Sequence, residues 1–83
     1  MNEKFIELLF KLTDEGYALT ISPGIEQNSI RFTMDNCFKA PDRSKAWKCA
    51  YCTDKELLNY EEFEWIVIDL MLQLKEKEKE KNE

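Results

Sequence analysis

The sequence contains no histidine among its 83 residues. Histidine is the commonest general base at neutral pH, the commonest metal ligand, and the base of Ser-His and Cys-His nucleophile pairs. Without histidine, the chain can form no histidine general base, no histidine metal ligand and no Ser-His or Cys-His pair. No apolar run approaches the ~18 residues that a membrane span needs, and the N-terminus lacks the apolar region and cleavage site of a secretory signal. We therefore expect no membrane span, no signal peptide and no enzyme activity.

Glycine, proline and cysteine are also scarce, at two, two and three residues. An odd number of cysteines without a secretory signal indicates reduced thiols and a cytoplasmic location. By contrast, apolar residues make up 43% of the chain, which is enough to build the core of one small domain. The net charge of −5 disfavours direct binding to nucleic acid or to an anionic membrane.

The apolar pattern predicts the element order α-β-β-β-α. Apolar residues at helical spacing predict a helix over residues 3–15. Alternation predicts strands over residues 17–22, 30–35 and 47–51, and their short connections favour an antiparallel meander. Only one face of that sheet is apolar. We therefore predict an α+β two-layer sandwich, with a three-stranded antiparallel sheet and two helices on one face.

The second helix has two candidate starts. Thr53 and Glu56 have the spacing of a capping box, which predicts a start near residue 54. Asn59 offers a competing start after a short turn. We predict that residues 1–74 form a single α+β domain and that residues 75–83, which alternate Lys and Glu, are a charged, frayed extension of the helix. The predicted core stripe of this helix is Phe63, Ile66, Val67, Leu70 and Leu74.

The Cys-x-x-Cys motif formed by Cys49 and Cys52 is a candidate metal site. Zinc requires about four ligands, and Cys37 is the only other cysteine. Residues 49 and 52 of one strand point to opposite faces of the sheet. We therefore expect no metal and no cofactor. The alternative is a zinc site on Cys37, Cys49 and Cys52 that a carboxylate or a second copy completes.

Acidic residues are concentrated between residues 54 and 69. Such a surface suits docking on a basic groove through electrostatic steering and ion pairing. The simpler interpretation is a solvated helix face. Six carboxylates form this cluster: Asp54, Glu56, Glu61, Glu62, Glu64 and Asp69.

A second apolar row lies on the second helix, opposite its core stripe. Trp65, Ile68 and Leu72 follow the i, i+3, i+7 spacing, and a three-stranded sheet buries only one of the two rows. An exposed row of this kind is typical of a protein-binding surface. The alternative is that the first helix covers it and both rows are core. We predict a partner-binding site made of this row and the six carboxylates.

Parts of the sequence resemble small acidic phage proteins, in particular anti-CRISPR inhibitors of single-effector CRISPR nucleases. The resemblance covers roughly the first third of the chain and, beyond it, the order of elements. It implies a phage or mobile-element protein that blocks the DNA-binding cleft of a nuclease in the cytoplasm of a bacterial host. The resemblance lies in Met1-Asn2, Phe5-Ile6-Glu7-Leu8-Leu9, Gly16-Tyr17-Ala18-Leu19-Thr20-Ile21 and Asn28-Ser29-Ile30-Arg31-Phe32.

The expected function is non-enzymatic inhibition, in which the acidic helix surface docks on a host protein with a basic nucleic-acid-binding groove. One alternative is a homodimeric structural or adaptor module that associates through Trp65, Ile68 and Leu72. Another is a small regulator that binds zinc through the cysteines or RNA through a basic segment. The basic residues of that segment are Lys39, Arg43, Lys45 and Lys48.

Overall fold

A computed structural model describes residues 3–39 and 46–81 and has the element order α-β-β-β-α. This confirms the predicted α+β fold. A 3-10 turn, Lys55–Leu57, follows the last strand. The other elements are α1 (Glu3–Asp14), β1 (Ala18–Pro23), β2 (Ser29–Asp35), β3 (Lys48–Asp54) and α2 (Tyr60–Lys81).

The three strands form an antiparallel meander with β2 in the centre. Phe32 of β2 pairs with Ile21 of β1 and with Tyr51 of β3. Met34, two residues on, pairs with Leu19 and Cys49 in the same way. Because side chains alternate between faces, all of these residues share one face of the sheet. This is the apolar face that the alternation predicted.

Both helices pack on the apolar face, α1 over β1 and α2 over β2 and β3. Phe63 lies at the junction, with its ring centroid 4.9 Å from that of Phe5 in α1 and 5.8 Å from that of Phe32. Phe5 also meets Tyr60 at the start of α2, at 4.9 Å. The five predicted core residues of α2 are all buried.

The helices run parallel, because their starts meet at one end and their later turns meet at the other. Phe5 contacts Tyr60 and Phe63 in the first turn of α2. Glu15, just after α1, pairs with Lys75 at 3.4 Å. One long groove therefore separates the outer sides of the two helices.

The predicted start of the second helix near residue 54 is wrong, and the competing start at Asn59 is confirmed. Thr53 belongs to β3 and pairs with Ile30, so its extended backbone continues the sheet and does not open a helix. Asp54 instead caps the 3-10 turn, accepting from the backbone N–H of Glu56 at 2.9 Å. The side chain of Asn59 accepts from the N–H of Glu62 at 2.8 Å and caps α2.

The Lys/Glu segment continues α2 through Lys81, and residues 82 and 83 lie outside the described part of the chain. Leu74 is the last of the predicted core residues, and it is fully buried. The domain boundary at residue 74 and the fraying of residues 75–83 stay predictions.

Candidate protein-binding surface

The outward face of α2 carries the second apolar row. Trp65, Ile68 and Leu72 are 50%, 47% and 56% exposed. The alternative in which α1 covers this row is therefore wrong. The row is exposed because it lies on the side of α2 opposite the core stripe. The residues of that stripe, among them Phe63 and Leu70, pack against the sheet.

Trp65 packs against the sheet although half of it is exposed. Its ring packs edge-on against Tyr51 of β3, with centroids 5.5 Å apart and planes at 75°. An aromatic contact of this geometry is worth ~0.5–1.5 kcal/mol and favours this orientation of the indole. A partner that covers Trp65 therefore loses little additional side-chain entropy, which favours tight binding at this residue.

Carboxylates line both flanks of the apolar row. Glu62 and Asp69 lie two turns apart on the flank that faces β3, and both are half-buried. Glu64 lies on the flank that faces α1 and is exposed. Glu61 is exposed one turn before Trp65. The fold thus brings four of the six predicted carboxylates around the row.

The remaining two carboxylates lie before α2, in and beside the 3-10 turn. The carboxylate of Asp54 accepts a hydrogen bond from the backbone N–H of Glu56 and so caps the turn. Glu56 is exposed on the same turn. Both lie at the end of the molecule where α2 begins, so they extend the acidic surface beyond the apolar row.

Two of the carboxylates on the flanks are held by hydrogen bonds within α2. The hydroxyl of Tyr60 donates to Glu64 at 3.0 Å, and the side-chain amide of Gln73 donates to Asp69 at 2.7 Å. Desolvation raises the pKa of Tyr60, and the hydrogen bond to Glu64 and the charge of Glu7 raise it further. Tyr60 therefore stays a neutral donor that orients the Glu64 carboxylate.

A groove of about 350 Å³ lies between the row and α1. Its walls include Ile68 and Leu72 of the row, and α1 supplies Leu8 and Leu12. Its rim is charged by Lys11, Glu15, Glu64 and Lys75. Two of the three residues of the row therefore border a cleft with room for an apolar side chain.

The cysteines do not assemble a metal site in the described part of the chain. Cys49 is buried on the core face, while Cys52 is exposed and pairs with Arg31 on the other face. This confirms that the two cysteines point to opposite sides of the sheet. Among residues 3–39 and 46–81, no group of three cysteine, aspartate or glutamate side chains is placed to hold a metal ion.

The basic segment is only partly described, because Arg43 and Lys45 lie outside the described residues. Lys39 forms an ion pair within the fold, with its Nζ 2.7 Å from a carboxylate oxygen of Glu78. Lys48 is exposed at the start of β3.

A polar network that sequence patterns do not reveal joins the end of α2 to the sheet. Glu78 accepts hydrogen bonds from Tyr17 at 3.0 Å, from Asn36 at 3.2 Å and from Lys39 at 2.7 Å. Lys39 Nζ also donates to the Tyr17 hydroxyl at 3.1 Å. Asn36 itself is buried and accepts from the backbone N–H of Trp47 at 2.8 Å. The network therefore links α2 to both ends of the β2–β3 connection.

The network shifts the pKa values of its three titratable members. Burial raises the pKa of Glu78, but hydrogen bonds from Lys39, Asn36 and Tyr17 outweigh burial, and the net pKa lies below 4.5. The hydrogen bond to Glu78 raises the pKa of Lys39. Desolvation is the main cause that raises the pKa of Tyr17. At neutral pH the network therefore holds one carboxylate, one ammonium and one neutral phenol.

Comparison with protein-family models, with curated proteins and with solved structures finds no match to this chain. Within residues 3–39 and 46–81, neither helix has the length and apolar composition that crossing a bilayer requires.

Proposed function

We propose that this protein is a non-catalytic binding protein that acts through the outward face of α2. Its partner is a protein with a basic nucleic-acid-binding groove, such as the DNA-binding cleft of a CRISPR effector nuclease. The observation that carries the proposal is the apolar row of Trp65, Ile68 and Leu72, about half exposed and flanked by carboxylates.

The arrangement supports binding because it combines an apolar anchor with a charged rim. Interface energy is concentrated in a few central residues, and tryptophan is one of the residue types enriched among them. Trp65 is already oriented by Tyr51, and the groove beside Ile68 offers a cleft for an apolar side chain of the partner. The flanking carboxylates would steer a basic partner and fix its register.

The test uses purified nucleic-acid enzymes, including a guide-loaded single-effector CRISPR nuclease, with this protein immobilised. We expect binding that competes with target DNA and weakens steeply as salt is raised, since ionic contacts are screened. Trp65→Ala should weaken the affinity by roughly 30-fold, the effect of losing a central interface residue. Glu64→Lys should slow association and reduce the dependence on salt.

Asp14→Lys is the matched control, because it makes the same charge change on an exposed residue at the end of α1, outside the apolar row and the groove beside it. It should leave the affinity close to that of the unaltered protein. Binding that resists salt, or that tolerates both Trp65→Ala and Glu64→Lys, would contradict the proposal. Loss of self-association alone in Trp65→Ala would instead favour the homodimeric module.

A further inference from the structure

The outer edge of β1 has backbone groups whose direction follows from the strand register. In an antiparallel sheet, opposed residues alternate between hydrogen-bonded and non-hydrogen-bonded pairs. The Asn28 carbonyl accepts from Lys55 N–H at 2.8 Å, and Asn36 N–H donates to the Trp47 carbonyl at 3.3 Å. Even-numbered residues of β2 therefore bond towards β3, and odd-numbered residues bond towards β1. The bond from Gly24 N–H to the Ser29 carbonyl, at 2.9 Å, agrees with this assignment.

It follows that Ala18, Thr20 and Ser22 bond to β2, whereas Leu19 and Ile21 direct their N–H and C=O groups outward. No strand among the described residues pairs with this edge. At each end of this edge, the next outward-facing residue offers no free N–H group. Pro23 has no N–H to donate, and Tyr17 N–H is already bonded to the Leu12 carbonyl at 3.0 Å.

We propose that two copies of this protein pair through this edge, with β1 antiparallel to β1 across a two-fold axis at Thr20. Leu19 of each copy then lies opposite Ile21 of the other, and the four outward N–H groups find the four outward carbonyls. The two Thr20 side chains meet on the axis, a cross-strand pair that sheets favour. Shifting the register by two residues would leave Leu19 or Ile21 opposite the missing donor of Pro23 or the occupied donor of Tyr17.

Exposed apolar side chains flank the same edge. Ile21 is 53% exposed although it shares the core face of the sheet. Leu8 and Lys11 of α1 face the groove with α2, so Ile6 and Phe10 lie on the opposite flank of α1, above the free edge. Ile6 is 40% exposed and Phe10 67%. Two-fold pairing would bring these three residues of each copy against those of the other and remove them from water.

Charge distinguishes β1 from the second edge of the sheet. β1 has no charged residue, so its self-pairing sets no like charges opposite one another in a protein of net charge −5. β3 begins with Lys48, and Nζ of Lys77 lies 3.5 Å from the Lys48 carbonyl oxygen. Lysine at a strand edge opposes pairing with another chain. We therefore expect the second copy to pair with β1 and not with β3.

Two measurements on the full chain test the proposal, both with reductant present so that Cys52 cannot cross-link. Analytical ultracentrifugation should give a mass of about twice 9.9 kDa that falls to the monomer on dilution. Amide hydrogen exchange by NMR should show protection of Leu19 and Ile21 that increases with protein concentration, while Thr20 and Ser22 are protected throughout.

Ile21→Lys should abolish the dimer and still fold, because Ile21 is half exposed and its N–H serves no bond within the monomer. Trp65→Lys is the matched control and should leave the dimer intact while it removes partner binding, which Ile21→Lys should retain. A mass of 9.9 kDa at every concentration, or a dimer that Ile21→Lys does not disturb, would overturn the proposal. Amide protection of Ala50 and Cys52 that increases with protein concentration would assign the interface to β3, and this result would also overturn the proposal.

Discussion

At the scale of single residues, Glu78 ties the last turns of α2 to the sheet. Its pKa is lowered because three hydrogen bonds outweigh the effect of burial. A carboxyl whose pKa is lower in the folded than in the unfolded state stabilises the fold above the unfolded pKa, here 4.5, and loses that effect as the pH falls through the folded value. Tyr17 and Lys39 act in the opposite direction. Their raised pKa values stabilise the fold below 10.0 and 10.5, and that contribution is lost at higher pH.

We predict that Glu78→Gln lowers the free energy of unfolding by roughly 1 kcal/mol at neutral pH, the net worth of a partly exposed charge-assisted hydrogen bond. It should also reduce the loss of stability on acidification, because the titrating group with the lowered pKa is gone. Urea unfolding from neutral pH down to about pH 3 measures both effects. Glu76→Gln removes a neighbouring exposed carboxylate of the same helix and should change little. Equal effects of the two substitutions would mean that the network does not stabilise the fold.

At the scale of the elements, the start of α2 depends on Asn59 and not on Thr53. We predict that Asn59→Ala lowers the free energy of unfolding by about 1 kcal/mol, because the N–H of Glu62 loses its acceptor. Thr53→Val removes only the hydroxyl of the predicted capping box and keeps the shape of a strand residue, so it should be nearly neutral. Thermal and urea unfolding distinguish the two, and a larger loss in Thr53→Val would show that the capping box stabilises the helix after all.

The elements could be predicted wherever one period governs a whole segment. Phe63, Leu70 and Leu74 repeat at helical spacing, and the buried face of α2 follows from that repeat. The capping box failed as a signal because local spacing does not reveal that Thr53 pairs with Ile30 across the sheet. The network of Tyr17 and Glu78 could not be predicted either, since the two residues are 61 positions apart and meet only in the fold. The sequence pattern allows Trp65 to be either exposed or covered by α1, because the position of α1 relative to α2 is set only by the tertiary fold.

At the scale of the whole molecule, the residues that maintain the fold and those proposed to bind the partner occupy opposite sides of α2. Phe63 contacts α1 and the sheet at once and is 4% exposed, whereas Trp65, two residues on, is 50% exposed. Phe63→Ala should therefore cost about 3–5 kcal/mol in urea unfolding, a large part of the ~5–15 kcal/mol of a typical domain. Trp65→Ala should cost about 1 kcal/mol, through the lost contact with Tyr51. If Trp65→Ala unfolded the protein as Phe63→Ala does, the row would be structural.

Because α1 and α2 run parallel, the acidic first turns of both helices lie at the same end of the molecule. Both helices begin at the end where the β1–β2 loop and the 3-10 turn lie, because Ser29 pairs with Asp54 there. At the opposite end, Lys39 pairs with Glu78 and Lys75 pairs with Glu15, so positive and negative side chains offset one another there. The protein would therefore turn in the field of a basic partner before contact, so that this acidic, leading end approaches first. The carboxylates at the leading end are Glu26, Asp54, Glu56, Glu61, Glu62 and Glu64.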